Sequence, residues 1–206
     1  MSSYKDFDLY NPTEEHKMLR ETIRSFTQNE IEPQAHEYDK KENFNLSLFK
    51  KTGELGLLGI TVPEEFGGAG MDATTAVIVH EEMSASDPGF CLAYLAHSML
   101  MVNNLAQNGS QEQKTKFLPK LCSGEWVGAM GMSEPHVGTD VLGMTTTAEK
   151  KGNHYVLNGR KMWITNGGFA DIFIVFARID DDKNLSAFIV EKAFGGIELG
   201  KEEKKL

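Results

Sequence analysis

Apolar positions recur with a helical period through the first half of the chain. Behind Asn11-Pro12-Thr13-Glu14-Glu15, the residues Leu19, Ile23 and Phe26 fall on one helix face. Asn11 offers a capping side chain, Pro12 suits a first turn and two glutamates stand at the positive dipole end, so a helix is predicted to start there. A second helix is predicted from Ser47 towards Leu55, and a third from Asp72 through Ala76, Val77, Val79 and Met83. Asp87-Pro88 opens a fourth whose circumference is mostly apolar, which implies burial on nearly all sides. Gly109 stops it. Ser110-Gln111-Glu112-Gln113 then forms a capping box at the head of a fifth helix, which Pro119 must end or kink.

After Gly124 the pattern shortens to β-rich runs at Trp126 to Met132, Thr145 to Ala148, Tyr155 to Leu157, Met162 to Thr165, Ile172 to Ala177 and Ala187 to Val190. Turn signals separate them at Lys151-Gly152-Asn153, Asn158-Gly159, Asn166-Gly167-Gly168 and Asp180-Asp181-Asp182. Asn158-Gly159 is the strongest hairpin signal, because both central positions of a type I′ turn need positive φ. Helices followed by strands predict an α+β, two-domain chain: an all-α domain over residues 1–125 and an antiparallel β-barrel domain over 126–206. Gly195-Gly196-Ile197-Glu198-Leu199 reads as the start of a further strand. The sequence reaches Leu206 before the sheet closes, so the barrel is expected to be incomplete.

Composition narrows the function classes. Of 206 residues 40% are apolar and 20 are glycine, which excludes disorder, collagen and coiled coil as descriptions of the whole chain. Thirty acidic against 21 basic residues give a net charge of −9, the wrong field for nucleic acid, so an anionic ligand has to be held by local donors. Cys91 and Cys122 form no disulfide framework and read as reduced, buried thiols. The first eight residues carry neither a secretory nor a transit pattern, and the apolar stretch Gly89 to Leu105 is broken by His97, Ser98, Asn103 and Asn104. The expectation is a cytoplasmic protein without a membrane span.

Among chemical motifs, Gly68-Ala69-Gly70-Met71-Asp72-Ala73 fits G-x-G-x-x-G/A only formally. Glu64 and Glu65 would crowd a pyrophosphate and no βαβ alternation surrounds it. Six histidines show no metal-ligand spacing, and no G-x-S-x-G occurs, so neither a metal site nor a serine nucleophile is expected. The informative stretch is Gly131-Met132-Ser133-Glu134-Pro135-His136-Val137-Gly138-Thr139-Asp140. Ser133 and Thr139 bring hydroxyls, Gly138 permits close backbone approach and Pro135 fixes a turn, a concentration of donors suited to a phosphate or a polar heteroaromatic ring. Some twenty residues later, Lys161-Met162-Trp163-Ile164-Thr165-Asn166-Gly167 would place Trp163 and Thr165 on one side of a strand, a flat apolar face beside a hydroxyl. Together they look like one wall of a flavin site.

These segments, with Pro63 to Asp72, Asn108 to Lys114 and Phe117 to Leu121, resemble in order the acyl-CoA dehydrogenase family of flavoproteins, over almost the whole chain. One departure is Val137, where the family usually has a small residue. The resemblance implies an N-terminal helical domain, a middle β-barrel domain and a C-terminal helical bundle, the last absent from this sequence. It implies FAD as cofactor and α,β-dehydrogenation of an acyl-CoA thioester, with electrons passed to an electron-transferring flavoprotein. Carried over by position, Met130, Gly131, Met132 and Ser133 would line the isoalloxazine, with Ser133 on its pyrimidine edge. Gly138 and Thr139 would approach the pyrophosphate or the bound acyl-CoA. Trp163 would pack near the ring, Ile164 would add backbone contact and Thr165 would offer its hydroxyl towards N5. Tyr94, Leu95, Ala96 and Met99 would help form the end of the acyl pocket. The resemblance puts the catalytic glutamate beyond Leu206, and Glu81, Glu82, Glu134 and Asp140 match no base position, so the 206-residue chain is expected not to turn over. A related acyl-CoA or nitroalkane oxidase and a non-catalytic acyl-CoA or flavin-binding module are the alternatives. Neither acyl-chain length nor the oligomeric state of this chain is legible, although whole family members are commonly tetramers.

Overall fold

The computed structural model describes residues 8, 10–180 and 182–200. Helix α1 (Glu14–Phe26) is capped by the Thr13 hydroxyl, which accepts from the His16 N–H. The start lies two residues later than Asn11 because the Asn11 amide is engaged elsewhere, accepting from Arg20 Nε. A π turn (Thr27–Ile31) continues α1 into α2 (Glu32–Lys40), so the first helix runs well past Phe26. Pro33 cannot donate to the turn before it, and the local widening carries the chain through that gap.

Helix α3 (Leu46–Glu54) is capped by Asn45 and α4 (Ala73–Ser84) by Asp72. The predicted fourth helix is α5 (Pro88–Leu95), an eight-residue π segment (Ala96–Asn103) and α6 (Asn104–Asn108) in one run. Helix α7 (Gln111–Cys122) carries the complete Ser110/Gln113 capping box, with Pro119 inside it. The Gly68-Gly70 loop follows a short 3-10 turn (Glu64–Phe66) and leads into the Asp72 cap, with no βαβ unit around it. No helix among the described residues is long and apolar enough to cross a membrane.

The second half is a five-stranded sheet: β1 (Gly128–Gly131), β2 (Thr147–Lys151), β3 (His154–Asn158), β4 (Ile172–Ile179) and β5 (Ser186–Glu191). It is mixed and open, which corrects the expected antiparallel barrel. Strand β4 is central: β5 runs antiparallel along it from Ile172 to Ala177, whereas β1 and the start of β2 pair with it in parallel. The parallel pairs arise because β1 and β4 are separated by some forty residues of loop and hairpin, long enough for a crossover.

Three local expectations also change. The β2–β3 hairpin closes at Gly152-Asn153, with Gly152 at φ +64°, and not at Asn158-Gly159. Gly159 is needed for close approach: a Cβ there would lie 2.3 Å from Thr146 Oγ1. The run Met162 to Thr165 forms no strand, because Trp163 takes φ +58° and Asn166 φ +67°. Residues 195–200 form no strand either. They follow a 3-10 turn (Lys192–Phe194) with Gly195 and Gly196 both at positive φ.

Helices and sheet share a core in which Met101, Val102, Leu105, Leu118 and Leu121 pack with Ile172 and Ile174. Gly128 sits at the closest point, where a Cβ would lie 2.3 Å from Met101 Cγ. Gly128→Ala is expected to cost about 1–3 kcal/mol by overpacking, read as a lower denaturant midpoint at unchanged slope.

Candidate functional site

A cavity of about 130 Å³ opens where the π segment meets the end of β1 and the irregular segment at Trp163. Ala96 and Leu100 line it from the helix, Met130, Met132 and Ser133 from β1 and its exit, and Trp163, Ile164 and Thr165 from the third side. A π turn widens a helix and is common at functional sites, and here it sets both helical lining residues on the side facing β1. The Ser133 and Thr165 hydroxyls have no hydrogen-bond partner among the described residues. Trp163 is 61% exposed. A shallower depression on α1, lined by Met18, Glu21, Thr22 and Ser25, brings together no comparable set of groups.

The Trp163 backbone is strained, since positive φ for a bulky side chain costs about 1–2 kcal/mol. Its neighbours hold it. Met162 N–H donates to Ser133 O at 2.9 Å on one side, and buried Asn166 donates from Nδ2 to Ala93 O and Gly128 O on the other. The loop is thus tied to both other walls of the cleft.

Behind the wall lies a buried carboxylate. Glu134 Oε2 accepts from Thr145 N–H and Oγ1, and Oε1 accepts from Thr146 N–H, Thr146 Oγ1 and Lys161 Nζ. Burial alone would raise its pKa, but the hydrogen bonds from Thr145, Thr146 and Lys161 outweigh that and hold it well below the usual carboxylate range. Lys161 also donates to Met132 O at 3.1 Å, and burial lowers its pKa against the pull of Glu134. An ionised, saturated carboxylate has no lone pair left for a substrate proton. Glu82 is likewise occupied by Arg20 and Arg24, Glu81 pairs with Arg20, and exposed Asp140 lies at the start of a 3-10 turn.

Of the residues assigned on sequence grounds, the structure brings together Met130, Met132, Ser133, Trp163, Ile164, Thr165 and Ala96. Gly131 lies behind the lining in β1, its Cα side against Lys161. Gly138 and Thr139 stand exposed on the following loop, outside the cleft. Buried Val137 points inward while its backbone pairs with Glu134, so the bulkier side chain leaves the turn's own hydrogen bonds intact. Tyr94 belongs to the core: it is fully buried, donates to Leu57 O at 2.8 Å, and burial pushes its phenol up. Leu95 and Met99 do not line the cleft, and Met99 packs on the helical core. Sequence reasoning missed Leu100, whose four-residue spacing from Ala96 was the available signal, and the tie between Glu134 and Lys161, for which local spacing gives none. Both cysteines are free and buried, and burial pushes Cys91 to about 11 and Cys122 to about 12.

The fold and cleft together define an α+β protein with an apolar, hydroxyl-edged slot at the junction of helix and sheet. Residues 13–125 match the family model for the acyl-CoA dehydrogenase N-terminal domain, and residues 129–206 that for the acyl-CoA dehydrogenase middle domain. The chain belongs to the acyl-CoA dehydrogenase family. It is 47% identical over 201 residues to the mitochondrial isovaleryl-CoA dehydrogenase of Pongo abelii, covering 94% of this chain and 48% of that protein. An acyl-CoA dehydrogenase complexed with FAD from Bacillus anthracis superposes with a TM-score of 0.89 at 43% identity, over 98% of this chain and 35% of that one. A structure described as the electron transferring flavoprotein of Acidaminococcus fermentans gives a TM-score of 0.91 at 39% identity, over 97% of this chain and 53% of that one. The chain thus spans about half the length of the curated relative it matches.

Proposed function

We propose that this chain forms the N-terminal and middle portions of an FAD-dependent acyl-CoA dehydrogenase, divided near residue 125. The whole protein removes the α and β hydrogens of an acyl-CoA thioester and passes the electrons to an electron-transferring flavoprotein. The observation that carries the reading is the convergence of Met130, Met132, Ser133, Trp163, Ile164 and Thr165 on one cleft. The donor set fits a flavin: two unpartnered hydroxyls meet a polar edge, while thioether, aliphatic and indole groups cover a flat apolar ring.

When bound, the flavin supplies a hydride acceptor. Ser133 and Thr165 orient it by hydrogen bonds, and Met130, Met132, Trp163 and Ile164 exclude water from the ring. Ala96 and Leu100 line the same cleft from the helix and limit what lies beside the ring. By resemblance to the family, Gly138 and Thr139, exposed on their loop, would approach the pyrophosphate or the bound acyl-CoA. Glu81, Glu82 and Glu134 are all engaged; by resemblance to the family, the base that takes the α-proton would come from polypeptide outside these 206 residues, and this portion alone would be inactive. Assembly of the whole protein as a tetramer and a cytoplasmic location belong to the same proposal.

The test is anaerobic addition of short, branched and longer acyl-CoA thioesters to the intact FAD-loaded protein. Loss of the flavin's visible absorption with at least one thioester is expected, followed by reoxidation by an electron-transferring flavoprotein. No bleaching across the panel overturns the proposal. Reoxidation by oxygen alone, at the rate of turnover, makes the protein an oxidase.

A further inference from the structure

The geometry points to Glu134, paired with Lys161, as the positioning residue that sets Ser133 and Trp163 at the spacing needed to hold a flat ring between them. The inference rests on the flavin reading of the cleft. Glu134 lines no part of the cavity, so it acts through others.

Its carboxylate joins three segments that sequence separates. It follows Ser133 directly on the exit from β1. Through four donors it holds Thr145 and Thr146, where the loop returns to β2. Through Lys161 it holds the segment two residues before Trp163, and the Lys161 ammonium reaches back to Met132 O. Met162 N–H closes the circuit on Ser133 O. The two sides of the cleft mouth are therefore fastened by a buried ion pair beside the Met162 hydrogen bond, with Glu134 3% and Lys161 12% exposed in their side chains. A strained Trp163 needs such a clamp, because a residue at positive φ relaxes once its flanks are released. A second-layer tie of this kind tunes ligand geometry without touching the ligand.

Glutamine at 134 keeps the shape but turns an amide NH₂ towards the N–H of one of the two threonines and leaves the Lys161 charge unpaired. The intact protein would be compared as wild type, Glu134→Gln, Lys161→Met and the double variant. Three quantities are read: FAD affinity with the visible spectrum of the bound flavin, melting temperature, and hydrogen exchange of the Met162 amide. Glu134→Gln is expected to weaken FAD binding about tenfold or more, shift the bound-flavin spectrum and expose Met162 to faster exchange. The double variant removes the unpaired charge, so its melting temperature is expected to recover towards wild type while FAD affinity and spectrum stay altered. If affinity and spectrum recover together with stability, the pair only stabilises the fold and the inference fails. Unchanged Met162 exchange in Glu134→Gln also overturns it, whether or not FAD binds. A wild type that binds no FAD overturns the flavin reading itself.

Discussion

Replacing His97 with leucine is expected to lower stability by about 3 kcal/mol at pH 7, because it strands two buried backbone groups at once. His97 is fully buried within the π segment, with its ring edge-on to Phe49. Its Nδ1 accepts from Gly128 N–H at 2.9 Å, which requires the proton on Nε2, and Nε2 donates to Leu121 O at 3.0 Å. One neutral imidazole thus pins the helix to β1 and to α7. Burial lowers its pKa to about 4, against an ordinary value of 6.5. The folded form therefore resists protonation while the unfolded form accepts it. This stability is fully present above pH 6.5 and is lost as the pH falls towards 4, by about 3 kcal/mol over that window. His80, also lowered by burial, adds to the slope with the same sign. Denaturant titrations at a series of pH values should show the wild-type and His97→Leu curves converging as pH falls to 4. Parallel curves would mean that His97 is not the neutral clasp described.

Arg20→Met is expected to cost about 3 kcal/mol, the low end for breaking a buried ion pair. Arg20 is 8% exposed and spends its guanidinium on Asn11 Oδ1, Tyr10 O, Glu81 and Glu82, the last two at 2.7 Å. Methionine fills the volume but leaves Glu82, itself 7% exposed, with less compensation. The loss stays near the low end because Arg24 still donates twice to Glu82, and because Glu81 is half exposed and rehydrates. Arg24 and Arg20 hold the Glu82 carboxyl below its usual range despite burial. Its contribution is therefore present above the ordinary carboxylate pKa and fades as pH falls through the lowered value. Thermal unfolding of Arg20→Met at pH 7 and at pH 3 should show the deficit shrinking in acid. A deficit independent of pH would assign the effect to packing alone.

Elements whose signals are local were legible in the sequence. The caps at Asp72, Asp87 and Ser110 lie where the side chains indicated, since each needs only a backbone N–H two or three residues away. The π segments were not legible. The predicted elements leave Thr27 to Ile31 unmarked, although this segment continues the helix, with Ile31 buried against the helical core. Sheet order was hidden for a different reason: the parallel partners of β4 are set by contacts far apart in sequence, which alternation does not encode. The site shows both cases. Residue types at 130–133 and 163–165 pointed to one cleft, but not by the geometry first inferred. Trp163 and Thr165 converge through a left-handed loop and not through the period of a strand, and the glutamate that fastens the loop is recognisable only once Thr145, Thr146 and Lys161 are brought around it.

The measurement that bears most directly on the cleft as a flavin site is FAD titration of the intact protein carrying Trp126→Phe, followed by the part of the tryptophan emission that a further Trp163→Phe substitution removes. Trp126 is the other tryptophan of this chain and packs away from the cleft against Phe117 and Lys120. The account predicts saturable quenching of Trp163 emission that tracks the flavin's absorption change and weakens when Ser133 and Thr165 are both replaced by alanine. Saturable FAD binding that leaves Trp163 emission unchanged, or that ignores the two alanines, would contradict it.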